Sequence, residues 1–451
     1  MATEPIISVS GLRGIVGESL TPVVAIRYAE AFSACASAGA FVVTQDGRPS
    51  GRMLAEAIHA GLHAAGRSTI DAGIAATPTC GVLVRRFKAA GGIQISASHN
   101  PAEYNGLKLF SAEGRVIPEA PGQKVLSRYR AGAAGWVPHD RLGERQTCAD
   151  VLSAHLDAVL ATVDVQRIRR RQFKVLLDSN HGAGGLLGRR LLEDLGCTTT
   201  LLGAEPDGRF EHPPEPTAEN LAGVLPAVRE AAADVGFCQD PDADRLAVID
   251  ETGRCLGEEH TLAMCVDHVL RRRKGPIVAN CATSRMSEDL AAKYGVPFSR
   301  SAVGEAHVVD AMLAHDAIFG GEGNGGPIDP RVGLVRDSFV GMAQLLDALA
   351  AREIRASRLA DELPRYQIVK TKISLAPAKV AAALDALARH FSAPKIDRLD
   401  GLRMDWPGRW LLVRASNTEP IVRAIAEAET GQEARLLCDE AAKVIKELEG
   451  K

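Results

Sequence analysis

Gly91-Gly-Ile-Gln-Ile-Ser-Ala-Ser98-His99-Asn-Pro-Ala-Glu-Tyr-Asn-Gly-Leu-Lys108 is the stretch whose reading decides the fold. Ile93 and Ile95 alternate as in a short buried strand, and Asn100-Pro101 closes the polar turn that follows. The Ser98 hydroxyl therefore falls at the C-terminal end of a strand, where α/β proteins place their chemistry. An imidazole stands beside it in His99, and the ammonium of Lys108 follows within reach of the loop. An ordinary turn serine needs no such company.

A second loop carries charge of the opposite sign. Val235-Gly-Phe-Cys-Gln-Asp240-Pro-Asp242-Ala-Asp244-Arg245 ends another strand with carboxylates in alternate positions, and Leu246 to Ile249 continues as the next strand. Like charges packed this closely are costly unless a cation neutralises them. Oxygen-only donors favour a hard divalent ion, Mg²⁺ first, then Mn²⁺ or Ca²⁺. An EF-hand is the competing calcium reading, since Glu251 falls at the twelfth position of such a loop. It fails because Arg245 stands where the loop needs glycine and because strands, not helices, flank it. A solvated acidic turn is the bland alternative. Arg245 weighs against it, because a cation next to a metal points to a shared phosphate.

Two further loops suit a sugar phosphate. In Phe319-Gly-Gly-Glu322-Gly-Asn324-Gly-Gly326 the glycines admit close backbone approach, and Glu322 with Asn324 can hydrogen-bond vicinal hydroxyls. Alone it reads as a plain glycine-rich turn and gains force only from its company. Arg414-Ala-Ser416-Asn417-Thr418-Glu419-Pro420 supplies a guanidinium fork and several side-chain donors around a tight turn, the makings of an anion nest, against the alternative of a simple hairpin turn. No Walker A pattern occurs, so this is not a nucleotide P-loop. Asp178 to Gly188 loosely imitates a dinucleotide loop, but its glycines are spaced GxGxxxG and are read as helix–strand packing.

Composition bounds the rest. The 451 residues suggest two to four domains, and a formal charge of −3 argues against nucleic acid or an anionic membrane as partner. The basic runs 167–171 and 271–274 are read as solvated helix ends or linkers. Nine dispersed cysteines without a CxxC pair indicate neither a disulfide frame nor a zinc site. With no leader pattern and no membrane-length apolar run, the chain is expected to be cytoplasmic. Strand–turn–helix patterns predict three α/β units, at residues 1–150, 151–255 and 256–362, and an α+β unit at 363–451. Among the predicted elements are strands at 41–44, 174–178 and 276–280, a helix over 148–163, and a hairpin with arms 410–414 and 421–427.

Five segments together resemble the α-D-phosphohexomutase superfamily in its chain order: Ser10-Gly-Leu-Arg13-Gly and the loops at Ser98, Asp240, Glu322 and Arg414. The form of the last two is most similar to the archaeal-type phosphoglucosamine and phosphomannose mutases. The resemblance implies three similar α/β domains with mixed sheets and a C-terminal α+β domain around a central active-site cleft. It implies that Ser98 is the phosphorylated serine, that Asp240, Asp242 and Asp244 hold one Mg²⁺ with an oxygen of that phosphate, and that Arg13, His99, Lys108 and Arg245 surround the transferring group, with Lys108 or His99 handling the proton. Glu322 would grip sugar hydroxyls, with Asn324 and Gly304 in contact, and Arg414, Ser416, Asn417 and Thr418 would hold the phosphate that is not reacting. The implied reaction interconverts hexose 6-phosphate and hexose 1-phosphate through a 1,6-bisphosphate, which also serves as activator.

Asn324 departs from the serine, and Gly326 from the histidine, of many relatives. Glu305 matches a substrate-contacting segment, and an acid there can pair with a sugar ammonium, which favours glucosamine 6-phosphate over mannose or glucose phosphates. As a turn acid it would carry no such meaning. The expected partner is a small sugar phosphate, the expected assembly a monomer or homodimer. A metal-dependent phosphatase would not need the Arg414 and Glu322 loops, and a non-catalytic binding protein would not need both Ser98 and the aspartates.

Overall fold

The computed structural model describes residues 4–8, 11–132, 135–416 and 421–449. The described residues form four sheets in succession. The first runs, edge to edge, Ile6–Ser8, Gly11–Ile15, Tyr104–Ser111, Gly91–Ile95, Phe41–Gln45, Thr69–Ile74 and Arg145–Thr147. The second runs Leu246–Asp250, Val235–Gln239, Lys174–Asp178, Thr198–Leu202, and the third Phe298–Ser301, Ile277–Asn280, Phe319–Glu322, Gly326–Ile328. The fourth is wholly antiparallel and carries the expected hairpin, Arg409–Ala415 against Ile421–Ala428.

The three mixed sheets share one device. In each, a strand paired in parallel on one side (Gly91–Ile95, Val235–Gln239, Phe319–Glu322) turns directly into an antiparallel neighbour on its other side. The Ser98, Asp240 and Glu322 loops are those three hairpin turns. A short return of this kind leaves the loop at the carboxyl edge of the parallel strands, the edge where α/β sheets bind ligands.

The second and third sheets are not independently cored. One apolar cluster runs from Leu156 through Phe237 and Leu246 to Phe339 and Leu363. Its centre is the helix Ser338–Arg352, buried without interruption from Ser338 to Ala350, as expected of a helix that is apolar on most of its circumference. Asp347 is the one buried charge within that helix. Its buried carboxylate receives Arg167 Nη2 at 2.5 Å, Arg272 Nη1 at 2.7 Å and His268 Nε2 at 2.9 Å. The two basic runs are therefore not merely solvated: one arginine of each neutralises a buried acid, because an unpaired carboxylate there is not tolerated.

The helix expected over 148–163 is shorter. Cys148 N still pairs with Asp71 O, continuing the edge strand Arg145–Thr147, and Asp150 Oδ1 accepts from Ser153 N, so the helix begins only at Ser153 and ends at Leu160. The glycine-rich 178–188 segment packs as read. A Cβ on Gly188 would lie 2.7 Å from Leu177 Cδ2, and one on Gly182 would lie 2.5 Å from Pro241 of the aspartate loop. No helix among the described residues is long and apolar enough to cross a membrane.

Candidate active site

Ser98 is buried at the end of its strand in a left-handed conformation, φ +50°, which a non-glycine residue adopts only when its surroundings hold it there. What holds it is Arg48, in the turn that follows the neighbouring strand. The guanidinium donates to Ser98 O at 2.6 Å, Asn100 O at 2.7 Å and Pro101 O at 2.8 Å. Asp46 fixes Arg48 in turn, accepting from its Nε at 3.1 Å and from Ser96 Oγ at 2.6 Å, and Ser96 Oγ accepts from Ser98 N at 2.8 Å. Nothing in the local sequence marks Arg48 and Asp46, which lie in a polar turn between a strand and a helix.

The serine hydroxyl points out of this frame at the second sheet. Ser98 Oγ donates to Asp240 Oδ2 at 2.7 Å and stands 3.4 Å from His99 Nδ1. Asp240, Asp242 and Asp244 are all fully buried, and they offer carboxylate oxygens within 4.8 Å of one another. Lys108 Nζ lies 2.5 Å from Asp242 Oδ2 and 2.7 Å from Asp244 Oδ2, and Thr77 Oγ1 donates to Asp242 Oδ2. The other oxygens, Asp242 Oδ1 and Asp244 Oδ1, are buried with no hydrogen-bond partner, Arg245 Nε standing 3.9 Å from the latter. Buried acceptors are rarely left so, and two such oxygens beside a third carboxylate fit a hard, oxygen-seeking cation such as Mg²⁺.

The electrostatics follow from burial and neighbours. Burial, with Asp244 and Asp242 adding to it, raises the Asp240 carboxyl well above the usual range. Burial would raise Asp242 as well, but Lys108 and Thr77 outweigh it and hold that carboxyl low. Burial opposes and the two aspartates more than restore the charge on Lys108, whose pKa lies above its ordinary value, so in this arrangement it is an ammonium and not a base. Burial, with Arg245 and Arg13 nearby, pushes the His99 imidazole down to about 2, so it is neutral. Arg13 Nη1 reaches Asn100 Oδ1 at 3.2 Å, and Arg245 donates its backbone N–H to Asp240 Oδ1 at 3.1 Å while its side chain extends toward Glu215 and Glu258.

The third sheet brings the sugar loop to this centre through a residue not anticipated from sequence, Arg336. It bonds Asp244 Oδ2 at 2.6 Å, Glu305 Oε2 at 2.8 Å and Glu322 Oε2 at 2.9 Å. Glu322 also accepts from Asn280 Nδ2 at 2.7 Å, Gly304 N at 3.1 Å and Asn324 Nδ2 at 3.3 Å. Its acceptor positions are thus taken, the Asn324 contact being the longest. Asn324 Oδ1 has no partner, so Asn324 is the contact most readily exchanged for a sugar hydroxyl. Glu305 is not a free acid: it is buried, and Arg336 matches its charge. A second acid missed from sequence, Glu259, packs so closely on Gly323 that a Cβ there would meet Glu259 Oε2 at 2.0 Å. Burial raises its carboxyl to about 8.

Arg414 joins the cleft indirectly. Its Nε donates to Asp400 Oδ2 at 2.9 Å, and the same oxygen accepts from Val303 N at 2.9 Å, beside Gly304. Ser416 N pairs with Ile421 O at 2.9 Å at the base of the hairpin. Asn417 and Thr418 lie outside the described residues. Three sheets thus bring together a buried serine, a metal-competent acid cluster and the polar Glu322 loop, with a guanidinium from the fourth, the side-chain set of a phosphoryl-transfer enzyme.

Comparison with known proteins makes the class specific. Four family profiles match in chain order: phosphoglucomutase/phosphomannomutase α/β/α domain I at residues 6–135, domain II at 153–253, domain III at 258–366 and the C-terminal domain at 370–444. The chain is 37% identical to a phosphoglucomutase/phosphomannomutase of Thermococcus kodakarensis and 33% identical to a probable phosphoglucosamine mutase of Thermococcus gammatolerans, covering 97% of each chain in both cases. The crystal structure of a phosphoglucomutase/phosphomannomutase family protein from Burkholderia thailandensis superposes with a TM-score of 0.86 at 27% identity, over 98% of both chains. This chain belongs to the phosphoglucomutase/phosphomannomutase family of the α-D-phosphohexomutase superfamily. It is a phosphohexomutase, an intramolecular phosphotransferase of the isomerase class.

Proposed function

We propose that the chain interconverts glucosamine 6-phosphate and glucosamine 1-phosphate, with Ser98 as the phosphoryl carrier and a hexose 1,6-bisphosphate as intermediate and activator. In the first half-reaction a sugar hydroxyl oxygen bonds to the phosphorus on Ser98. The bond from phosphorus to Ser98 Oγ breaks, and the hydroxyl proton passes to Oγ. The bisphosphate then turns over: Ser98 Oγ bonds to the other phosphorus, the bond from that phosphorus to its sugar oxygen breaks, and the serine hydroxyl proton passes to the sugar oxygen. Asp240, Asp242 and Asp244 would hold Mg²⁺, which supplies charge neutralisation on the bridging oxygens, the dominant need of this chemistry. Asp240 Oδ2 accepts the hydrogen bond of the Ser98 hydroxyl at 2.7 Å, and neutral His99 Nδ1 stands next in reach at 3.4 Å. Arg13 and Arg245 orient the transferring group. Arg414, Ser416, Asn417 and Thr418 hold the distal phosphate, and Asn324, Glu322 and Gly304 face the sugar. The protein works in the cytoplasm as a monomer or homodimer, with domains divided near residues 150, 255 and 362.

The amino-sugar reading is carried by Glu259, a carboxyl pressed against the sugar loop and raised to about 8 because burial outweighs the Ser284 N–H bond and the charge of Lys370. A substrate ammonium would compensate its charge. Glucose or mannose phosphate is the second reading, favoured by the Glu305–Arg336 pair, which removes the acid first expected to meet the ammonium, and by the 37% relative. Turnover of glucosamine, glucose and mannose 1-phosphates with Mg²⁺ and a trace of bisphosphate, followed by phosphorus NMR, distinguishes them. A kcat/KM preference for glucosamine that Glu259→Gln erases supports the first reading. A preference for glucose or mannose overturns it, and inorganic phosphate as main product overturns the carrier role of Ser98.

A further inference from the structure

Arg336 stands between the strand Gly326–Ile328 and the helix Ser338–Arg352. Three nitrogens of one guanidinium meet three acids from three segments, Asp244, Glu305 and Glu322, in a setting only 8% exposed. A lysine, with one compact charge, cannot bridge acids placed on separate sides of a planar fork. The backbone beneath it is fixed. Asp337 caps the following helix by accepting from Phe339 N at 2.9 Å and Val340 N at 3.2 Å, receives His155 Nε2 on its other oxygen at 2.7 Å, and donates its own N–H to Pro327 O at 2.9 Å.

The path of the side chain is equally constrained. A Cβ on Gly326 would lie 2.4 Å from Arg336 Cδ, 2.8 Å from Cγ and 2.9 Å from Cβ. The shaft of Arg336 therefore lies directly on the bare Cα of Gly326. Because the far end is pinned by ion pairs and the near end by the helix cap, the shaft cannot swing aside. Any side chain at 326 competes with Arg336 for the same space.

We propose that Arg336 is the positioning residue of the sugar site: it holds the Glu322 carboxylate in place toward the sugar and ties it to Asp244 of the aspartate loop, and Gly326 admits its side chain. The inference rests on the phosphohexomutase reading of the cleft. Without Arg336, three buried carboxylates lose their shared cation, and Glu322 Oε2 keeps only the longer contact from Asn324 Nδ2. Asp244 Oδ2 loses one of its two cationic donors and keeps Lys108 Nζ at 2.7 Å. Arg336 acts on the sugar through Glu322, so its loss is felt by ligands that carry a ring and not by phosphate alone.

The test compares Arg336→Met, Gly326→Ala and the double variant. In the otherwise native enzyme, each single change should lower kcat/KM for hexose phosphate by about a hundredfold, the scale of removing one partner of a buried charge pair. The double variant should be no worse than the poorer single by more than about twofold, since both changes remove one interaction. In a Ser98→Ala background, calorimetry should show glucosamine 6-phosphate and glucose 6-phosphate binding at least about tenfold more weakly when Arg336 is replaced, with inorganic phosphate binding within about twofold of the parent. Losses that add in the double variant overturn the inference. So does unchanged hexose phosphate affinity, or an equal loss for inorganic phosphate, which marks general disruption. Should the methionine variant not fold, Arg336→Lys gives the same pattern at a loss of at least about tenfold. If the native enzyme turned over no hexose phosphate, the mutase reading would fall while the binding comparison still decided the role of Arg336.

Discussion

Arg48→Met tests the claim that the serine loop is held in its left-handed turn from behind. The change removes donors to Ser98 O, Asn100 O and Pro101 O, and it leaves Asp46, wholly buried, with Ser96 Oγ and the residue 48 backbone N–H as its partners. Each charge-assisted bond contributes roughly 1.5–3 kcal/mol in full, but water replaces part of it once the loop opens. A local loss of about 3 kcal/mol is a moderate expectation, within the range of about 3–5 kcal/mol for breaking a buried pair. Hydrogen exchange of the 91–108 segment reads that loss directly, because exchange there reports local opening and not the unfolding of a chain built from four sheets. At 1.4 kcal/mol per factor of ten, amides of the loop should exchange roughly a hundredfold faster, while the 174–250 sheet is unchanged. Phosphorylation of Ser98 by a hexose 1,6-bisphosphate, followed by intact mass, should slow in parallel. Adding Asp46→Asn should recover part of the loss, since it removes the buried charge stranded by the first change. Exchange within about threefold of the native protein, with undiminished phosphorylation, would refute the reasoning.

The remaining predictions address the chemistry. Ser98→Ala should abolish turnover and incorporation of phosphate, while hexose phosphate still binds within a few-fold by calorimetry; parallel loss of binding would count against a carrier role. Asp242→Asn, which alters a carboxylate whose Oδ1 lacks a hydrogen-bond partner, should weaken Mn²⁺ binding by at least about a hundredfold in electron paramagnetic resonance titrations, and unaltered affinity would place the ion elsewhere. Glu259→Gln should flatten the pH dependence of stability. Because burial raises the carboxyl from 4.5 to about 8, the folded protein holds this proton more tightly than the unfolded chain, so stability is lost as pH climbs through that window. The native midpoint should therefore fall relative to that of the variant between pH 6 and 8, by an amount equivalent to roughly 1–2 kcal/mol for a partly exposed group, and parallel curves would contradict the burial argument.

The sequence by itself determined the parts whose chemistry is contiguous. Ser98 with His99, the alternating aspartates 240 to 244, and Glu322 among glycines are each one turn of chain, and local spacing reports which groups a hairpin end can present. The same holds for the glycine segment 178–188, whose spacing pointed to packing. Tertiary structure alone decided which groups support those turns. Arg48 reaches a loop fifty residues away in sequence, and Arg336 joins acids from three segments. Both read on paper as ordinary surface arginines, since nothing in local spacing distinguishes an exposed guanidinium from one folded onto carboxylates. Glu305 shows the same limit from the other side. As an isolated acid it looked available to a ligand, and only the approach of Arg336 across Gly326 matched its charge. Burial and long-range pairing set the worth of a charge, and both exist only once the sheets have been brought together.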